Sequence, residues 1–428
     1  MAEIRGSIET VGVVGLGYVG LPLVLALVDS GHDVVGVDID EERVDALQAG
    51  ESYVRDVPDA EVAAARERGF EPTTTYDALG AVDAVSICVP TPLRKTGQPN
   101  VSYVSDATER LADVLTQDCI VVLESTVYPG ATEEIVADRL TTNGWTVGED
   151  VFVAFSPERI DPGNEEYGVT DIPKVIGGVT PACGDRAVAY YDSVFDETVR
   201  VPTSTDAEFV KLLENTFRSV NIGLINELAL TADRFGVNIW EVIDAAATKP
   251  FGYMPFYPGP GLGGHCIPID PQHLSWKAKQ QGLDARFIDL ADRINRGMPE
   301  HVVNRVGTLL NTDGVALLDA NVLVVGVAYK PDVSDTRESP AYDIIDQLRA
   351  RGVNVQYHDP FVPTFGTDEW AYESQELDET LLERQDCVVI VTDHSEIEYR
   401  TIVESAPRVF DSRNATAAFS DVESVERL

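Results

Sequence analysis

Val11-Gly-Val-Val-Gly15-Leu-Gly17-Tyr-Val-Gly20 runs through LPLVLALVDSG into Asp33-Val-Val-Gly-Val-Asp38-Ile-Asp40, and this stretch decides the fold. An apolar strand is followed by a glycine turn, a helical run and a second strand that ends on a carboxylate. The pattern GxGxxG alone is weak. Here it follows a strand and opens a helix, and Asp38 comes about 18 residues after Gly20, as a dinucleotide-binding βαβ unit requires. Gly15, Gly17, Tyr18, Val19 and Gly20 form a loop whose backbone can approach a pyrophosphate, with helix N–H groups pointing at it. Asp38 is expected to accept from the adenosine ribose hydroxyls and to repel the extra phosphate of NADP, so NAD is the expected cofactor. Arg43 lies close enough to serve such a phosphate and pulls the other way. A glycine turn that serves packing alone is the competing explanation.

Working outward, AVDAVSICVP, CIVVLEST and VFVAFSP are nearly unbroken, branched apolar runs separated by helical stretches. A parallel sheet covered on both faces has this texture. From about Asp206 to Phe235 the chain reads as one long helix, with apolar residues at Phe209, Leu212, Leu213, Phe217, Val220 and Leu224. At 1.5 Å per residue it spans about 45 Å, enough to bridge domains or pair across a dimer. The Gly/Pro-rich loop PFGYMPFYPGPGLGGHCIPIDP and a second helical stretch, HLSWKAKQQGLDARFIDLADRIN, follow. After NTDG the α/β texture returns in ANVLVVGVAYK, SPAYDIIDQLRARG, VNVQYHDP and CVVIVTDH. The expected fold is α/β, with two Rossmann-like doubly wound domains joined by a central helical domain containing one long helix. The expected boundaries are 1–202, 203–312 and 313–428.

The chain has 428 residues, 44% hydrophobic, with 32 Lys+Arg against 72 Asp+Glu and a formal net charge of −40. Only 7 of the basic residues are lysines. Such a field repels nucleic acid and anionic lipid, so neither is an expected partner. Acid-rich, lysine-poor surfaces suit molar salt, where screening acts within about 3 Å, so the acidity reads as halophilic habitat. Val11 to Val28 carries no charge, but four glycines and Pro22 interrupt it and a strand follows, so it reads as soluble core. No signal peptide is read, and the expected location is cytoplasmic. Cys88, Cys119, Cys183, Cys266 and Cys387 form no CxxC and no paired spacing, as in a reducing compartment. No metal site is expected.

Four of these cysteines read as small buried hydrophobes. Cys266 differs: Gly261-Leu-Gly263-Gly264-His265 strip side chains from its approach, and Asp270 follows four residues on. A thiol in a glycine-rich loop on a dinucleotide-binding chain suggests covalent capture of an aldehyde. Lys211 and Asn215, spaced i, i+4, project from one face of the long helix; a snorkelling surface lysine is the alternative for Lys211. Glu158, in Ser156-Pro157-Glu158-Arg159, ends an apolar strand, where α/β sheets place their ligand crevice. It is a general-base candidate, or an ordinary helix-start acid. Ser125 and Thr126 end the preceding strand with hydroxyls. His265 is a base by residue type, but sequence neighbours point apart, so it is not assigned to Cys266.

Together these residues resemble the UDP-sugar 6-dehydrogenase family, NAD-dependent enzymes that oxidise a hexose C6 alcohol to a carboxylate. The resemblance runs nearly end to end through GLGYVGLP, VDID, CVPTP, ESTVYPG, SPERIDPGN, EFVKLLENTFRSVNI, PGPGLGGHCIPIDP and GVAYKPDVSDTRESP. It implies an N-terminal NAD domain, to which Pro90, Thr91, Ser125 and Thr126 also contribute. It further implies a helical dimerisation region, giving a homodimer or higher homo-oligomer, and a C-terminal domain that binds UDP. Carried over, Cys266 is the nucleophile and Asp270 its supporting carboxylate. Lys211 and Asn215 stabilise oxyanions, and Thr126 and Glu158 handle water. Arg159, Tyr257, Gly259, Gly261, Gly263, Lys330, Arg337 and Arg413 belong with the UDP-sugar. Two NAD+ are used per sugar, through a Cys266 thiohemiacetal and thioester.

UDP-glucose members commonly read NPEF where this chain has SPERIDPGN, and carry a lysine where it has Ile269. The pattern resembles instead the branch acting on UDP-N-acetylhexosamines, with UDP-GlcNAc placed ahead of UDP-ManNAc and UDP-glucose as the alternative. An arginine usual before the cysteine loop is absent between Arg234 and Arg286, leaving Lys249 or a distant arginine to replace it. Two rivals remain: a two-electron β-hydroxyacid dehydrogenase, which needs neither Cys266 nor a second α/β domain, and a non-catalytic nucleotide-sugar-binding protein.

Overall fold

A computed structural model describes residues 8–54, 57–160, 168–264, 266–419 and 422–428. Asp161–Asn164 of the SPERIDPGN motif and His265 lie outside the described residues. The chain forms two compact units, Met1–Glu214 with Gln272–Leu283, and Asn215–Pro271 with Asp284–Leu428.

The first unit is built on an eight-stranded sheet. Its strands are β1 (Thr10–Val14), β2 (Asp33–Val37), β3 (Phe70–Thr73), β4 (Ala84–Ile87), β5 (Ile120–Leu123), β6 (Phe152–Phe155), β7 (Lys174–Gly178) and β8 (Thr198–Val201). Their order is β3-β2-β1-β4-β5-β6-β7-β8. All neighbours are parallel except β6 and β7. Successive side chains go to opposite cores: Val11 and Val13 of β1 join Leu23 and Leu27 on one face, and Val14 joins Val85, Ile87 and Leu111 on the other. Both faces are covered, which is why these strands read as continuous apolar runs. Because the chain order reverses from β1 to β4, the carboxyl ends of β1, β2, β4, β5 and β6 gather the polar segments along one edge. The antiparallel β7 brings its first residue, Lys174, to that same edge.

The second unit holds a parallel five-stranded sheet in the order β10-β9-β13-β14-β15. Its strands are β9 (Asn321–Val325), β10 (Asn354–His358), β13 (Cys387–Ile390), β14 (Val409–Asp411) and β15 (Val425–Arg427), beside the hairpin β11 (Thr364–Gly366) and β12 (Ala371–Glu373). Val322 and Val324 face the core shared with Val302, Val306 and Leu310 of the helix Arg286–Thr312, while Leu323 and Val325 face the opposite core.

The long helix is Ser204–Phe235, 32 residues. Its expected apolar face is only partly a core face. Leu212 is buried, but Phe209, Leu213, Phe217, Leu224 and Leu228 are exposed on the single chain. The stretch read as one helix after the cysteine loop is two, Asp270–Gln280 and Arg286–Thr312. Gly282, at φ +75°, ends the first in a left-handed conformation. Among the described residues no helix is long and apolar enough to cross a membrane.

Candidate active site

The turn after β1 shows why glycines stand where they do. Gly15 has φ +92°, and a Cβ there would lie 2.7 Å from the Cys88 carbonyl at the end of β4. A side chain at Gly20 would overlap the Gly15 carbonyl, so the helix Gly20–Asp29 starts directly against the turn. Asp38 is buried. Its carboxylate accepts from Leu16 N at 2.9 Å and Asp40 N at 3.0 Å, leaving about two of its four lone-pair directions for ribose hydroxyls. Arg43 lies 3.7 Å from Asp38 and 3.4 Å from Asp40, and Tyr53 donates its hydroxyl to the Leu16 carbonyl at 2.5 Å. Gly17, Tyr18, Asp40, Arg43 and Tyr53 line a recess of about 370 Å³. These residues fit the adenosine diphosphate half of a dinucleotide: bare backbone at the helix N-terminus, open space at Gly17 and a preoriented carboxylate. Asp38→Ala is expected to raise KM for NAD+ about tenfold. It should also narrow the preference over NADP+, because Arg43 loses a carboxylate partner. Steady-state kinetics with both cofactors check this.

Along the same edge, the Ser125 hydroxyl donates to the Val89 carbonyl at 2.6 Å, tying β5 to the segment that carries Pro90 and buried Thr91. Thr126 is half-buried next to it. Glu158 Oε1 accepts from Arg159 N at 2.6 Å and Ile160 N at 2.7 Å. Its other oxygen lies 3.3 Å from the ammonium of Lys174, which also bonds Glu124 at 2.7 Å. Burial alone would lower the Lys174 pKa, but the two carboxylates outweigh it and raise it. The Arg159 guanidinium is committed to Glu214, at 2.7 and 3.3 Å, and to the Pro173 carbonyl at 2.8 Å. Sequence reasoning missed Glu124 and Lys174. The available signal was one of seven lysines opening the buried run KVIGG.

On the long helix, Lys211 is buried, which removes the surface-lysine alternative. One turn before it, Glu208 is fully buried and accepts from Gly130 N at 2.5 Å, Thr132 N at 2.7 Å and the Thr132 hydroxyl at 2.6 Å. It thereby fastens the loop after Thr126 to the helix. Burial pushes the Glu208 carboxyl up to about 7, against the hydrogen bonds that oppose the rise. Since the folded value exceeds the unfolded 4.5, its contribution is full below pH 4.5 and is lost as pH rises through 7. Wild type minus Glu208→Gln should therefore show stability falling on the order of 3 kcal/mol across that window, read by denaturant melts at fixed salt.

In the second unit, Asn215 Nδ2 donates to Asp270 Oδ2 at 2.6 Å. Asp270 N–H closes on the Cys266 carbonyl at 2.8 Å, so thiol, carboxylate and amide belong to one turn-and-helix arrangement. Cys266 is exposed, whereas Cys88, Cys119, Cys183 and Cys387 are buried and none of the five forms a disulfide. Burial pushes the Cys119 and Cys387 thiols up to about 12, so they are inert at neutral pH. The glycine loop is clamped by neighbours: a Cβ at Gly263 would lie 2.6 Å from that of Tyr329, and one at Gly259 2.7 Å from Arg413 Nη1. Gly259 N donates to Asn226, which bonds Asn295, at 3.0 and 2.9 Å; both asparagines escaped sequence reasoning. Gly261 has φ +142°. Arg413 donates to the Val391 carbonyl at 2.8 Å, and Tyr257 stacks on Trp240. Arg337 forms a bidentate pair with Asp335, closest at 2.6 Å, and Lys330 is half-buried seven residues before it.

Residues 9–195, 205–297 and 323–418 match the NAD-binding, central and UDP-binding domain models of the UDP-glucose/GDP-mannose dehydrogenase family. A UDP-N-acetyl-D-mannosamine dehydrogenase of Methanococcus maripaludis is 34% identical over 420 residues, 95% of this chain and 93% of that one. A UDP-N-acetyl-D-glucosamine 6-dehydrogenase of Pseudomonas aeruginosa is 37% identical over 354 residues, covering 82% and 83%. The solved UDP-D-ManNAc dehydrogenase of Pyrococcus horikoshii superposes with a TM-score of 0.88 at 33% identity, covering 95% of this chain and 96% of that one. The fold and cofactor loop are those of an NAD-dependent oxidoreductase. The chain belongs to the UDP-glucose/GDP-mannose dehydrogenase family and is a UDP-sugar 6-dehydrogenase.

Proposed function

We propose that the chain oxidises the C6 hydroxyl of a UDP-N-acetylhexosamine to the carboxylate in two successive two-electron steps, each using one NAD+. The observation that carries this reading is Cys266: exposed, framed by glycines, and followed by a carboxylate held on Asn215. The relatives' names support the N-acetylhexosamine branch. The functional division into 1–202, 203–312 and 313–428 goes with it.

NAD+, when bound at the Gly15–Gly20 loop, supplies the acceptor for each hydride. Cys266 sulfur adds to the C6 aldehyde left by the first oxidation, forming a thiohemiacetal. The second oxidation leaves a thioester on that sulfur, and water releases the acid and restores the thiol. Lys211, buried and without an ion pair among the described residues, supplies a cation where the alkoxide and tetrahedral oxyanions develop. Asn215 holds Asp270 beside the thiol loop and donates to the same oxygens. Thr126 and Glu158 orient the hydrolytic water, and Arg159 sets the Glu158 segment through Glu214. Tyr257, Gly259, Gly261, Gly263, Lys330, Arg337 and Arg413 receive the UDP-sugar, with local cations overcoming a chain charge of −40.

The exposed stripe Leu213, Phe217, Leu224 and Leu228 is covered by a second copy of the chain in this reading. Light scattering in molar potassium chloride should then give a mass about twice 46.6 kDa, or a higher even multiple. The substrate is tested by offering UDP-GlcNAc, UDP-ManNAc and UDP-glucose separately. Turnover of an N-acetylhexosamine with little from UDP-glucose is expected. Turnover of UDP-glucose alone would overturn the substrate class.

A further inference from the structure

We propose that Lys174 is a positioning residue for thioester hydrolysis, bridging Glu124 and Glu158 so that the Glu158 carboxylate keeps one orientation. This rests on the reading above, in which Glu158 orients the hydrolytic water. The topology makes the bridge possible. Because β7 runs antiparallel to β6, its first residue arrives where β5 and β6 end. Lys174 there meets Glu124, the residue after β5, and Glu158, the third residue after β6.

Lys174 and Glu124 are buried and Glu158 is half-buried. Lys174 Nζ lies 2.7 Å from Glu124 Oε2 and 3.3 Å from Glu158 Oε2, with the rings of Tyr191 and Phe195 about 5 Å away. The second Glu124 oxygen accepts the Tyr191 hydroxyl at 2.6 Å, and that hydroxyl is 3.3 Å from Ser86 on β4. Glu158 spends one oxygen on Arg159 N and Ile160 N and the other on Lys174. About one of its four lone-pair directions remains, on the oxygen that Lys174 holds. That oxygen can accept a hydrogen bond from water in one place only.

A lysine buried between two acids gives little net stability over an apolar side chain of similar volume, so its value lies in what it orients. Removing it leaves Glu124 and Glu158 as neighbouring carboxylates in a low-dielectric setting. One must then take up a proton, and Glu158 is released from its position. The titratable and charged groups around the bridge are Cys88, Tyr190, Tyr191 and Arg159, and none can replace the lost cation: the first three are neutral or acidic, and Arg159 is paired with Glu214.

The test uses the full chain and the UDP-sugar that wild type oxidises, in rapid-mixing kinetics with intact-mass analysis of Cys266. Lys174→Met is expected to form NADH in a fast first phase, then turn over about 100-fold more slowly. Thioester should accumulate on Cys266, kcat/KM for the sugar should be unchanged with KM falling along with kcat, and the acid limb of the kcat profile should move to higher pH. Lys174→Arg should restore most of the rate. If Lys174→Met does not fold, Tyr191→Phe, which deletes the hydroxyl that bonds Glu124 and Ser86 and leaves Lys174 in place, should give a smaller accumulation of the same thioester. Variants that hydrolyse at the wild-type rate, or slow without thioester, contradict the inference alone. A wild type that forms no NADH from any UDP-sugar contradicts the functional reading with it.

Discussion

Cys266→Ser is expected to lower steady-state NADH formation by about 10³-fold or more, while cofactor binding, read by NADH fluorescence, stays as in wild type. A serine hydroxyl is far less nucleophilic than a thiolate at neutral pH, and Asp270, which opens the helix that follows, is held by Asn215 of the long helix. The first oxidation does not need the sulfur. The variant should therefore still produce a trace of aldehyde, which a hydrazine or hydroxylamine trap would capture at C6. Loss of all reaction, aldehyde included, would mean that Cys266 serves folding or substrate binding instead. Full activity would remove the covalent route altogether.

Lys211→Met should reduce kcat by 10²- to 10³-fold, about the effect of deleting one oxyanion partner in a closed site, with KM for NAD+ little changed. Methionine keeps the length and apolar stem of the side chain, so the loss reports the charge. Lys211 is buried on a chain carrying −40 and has no carboxylate partner among the described residues, so its charge is available to a substrate oxyanion. Both chemical steps pass through negative oxygen at C6, and both should slow. A variant that slows only one step, seen as a single-NADH burst followed by a stall, would assign Lys211 to one half of the reaction.

Much of this was legible in the sequence for identifiable reasons. The turn at Gly15–Gly20 and the carboxylate at Asp38 are local chemistry: backbone conformation, helix start and strand end all lie within one βαβ unit. The distinction of Cys266 from four buried thiols was readable because glycines flank it and apolar strands or helices hold the others. What was not readable depends on distant partners. That Arg159 is held by Glu214 depends on packing, not on motif. The antiparallel β7 looks in sequence like any short apolar run, yet its direction alone delivers Lys174 to Glu124 and Glu158. Likewise the helical period of Ser204–Phe235 announces an apolar stripe, but nothing in the period says that Leu213, Phe217 and Leu224 stay exposed on one chain. Gly282 ends a helix where the surrounding period continues, because its left-handed backbone breaks the hydrogen-bond ladder.

The central claim is four-electron oxidation through a single thiol, and the most direct measurement is NADH formed per mole of limiting UDP-N-acetylhexosamine, followed to completion in molar potassium chloride. Two NADH per sugar, with the uronic acid as sole product, is the predicted result. One NADH per sugar, with an aldehyde or ketone as the final product, would contradict the account.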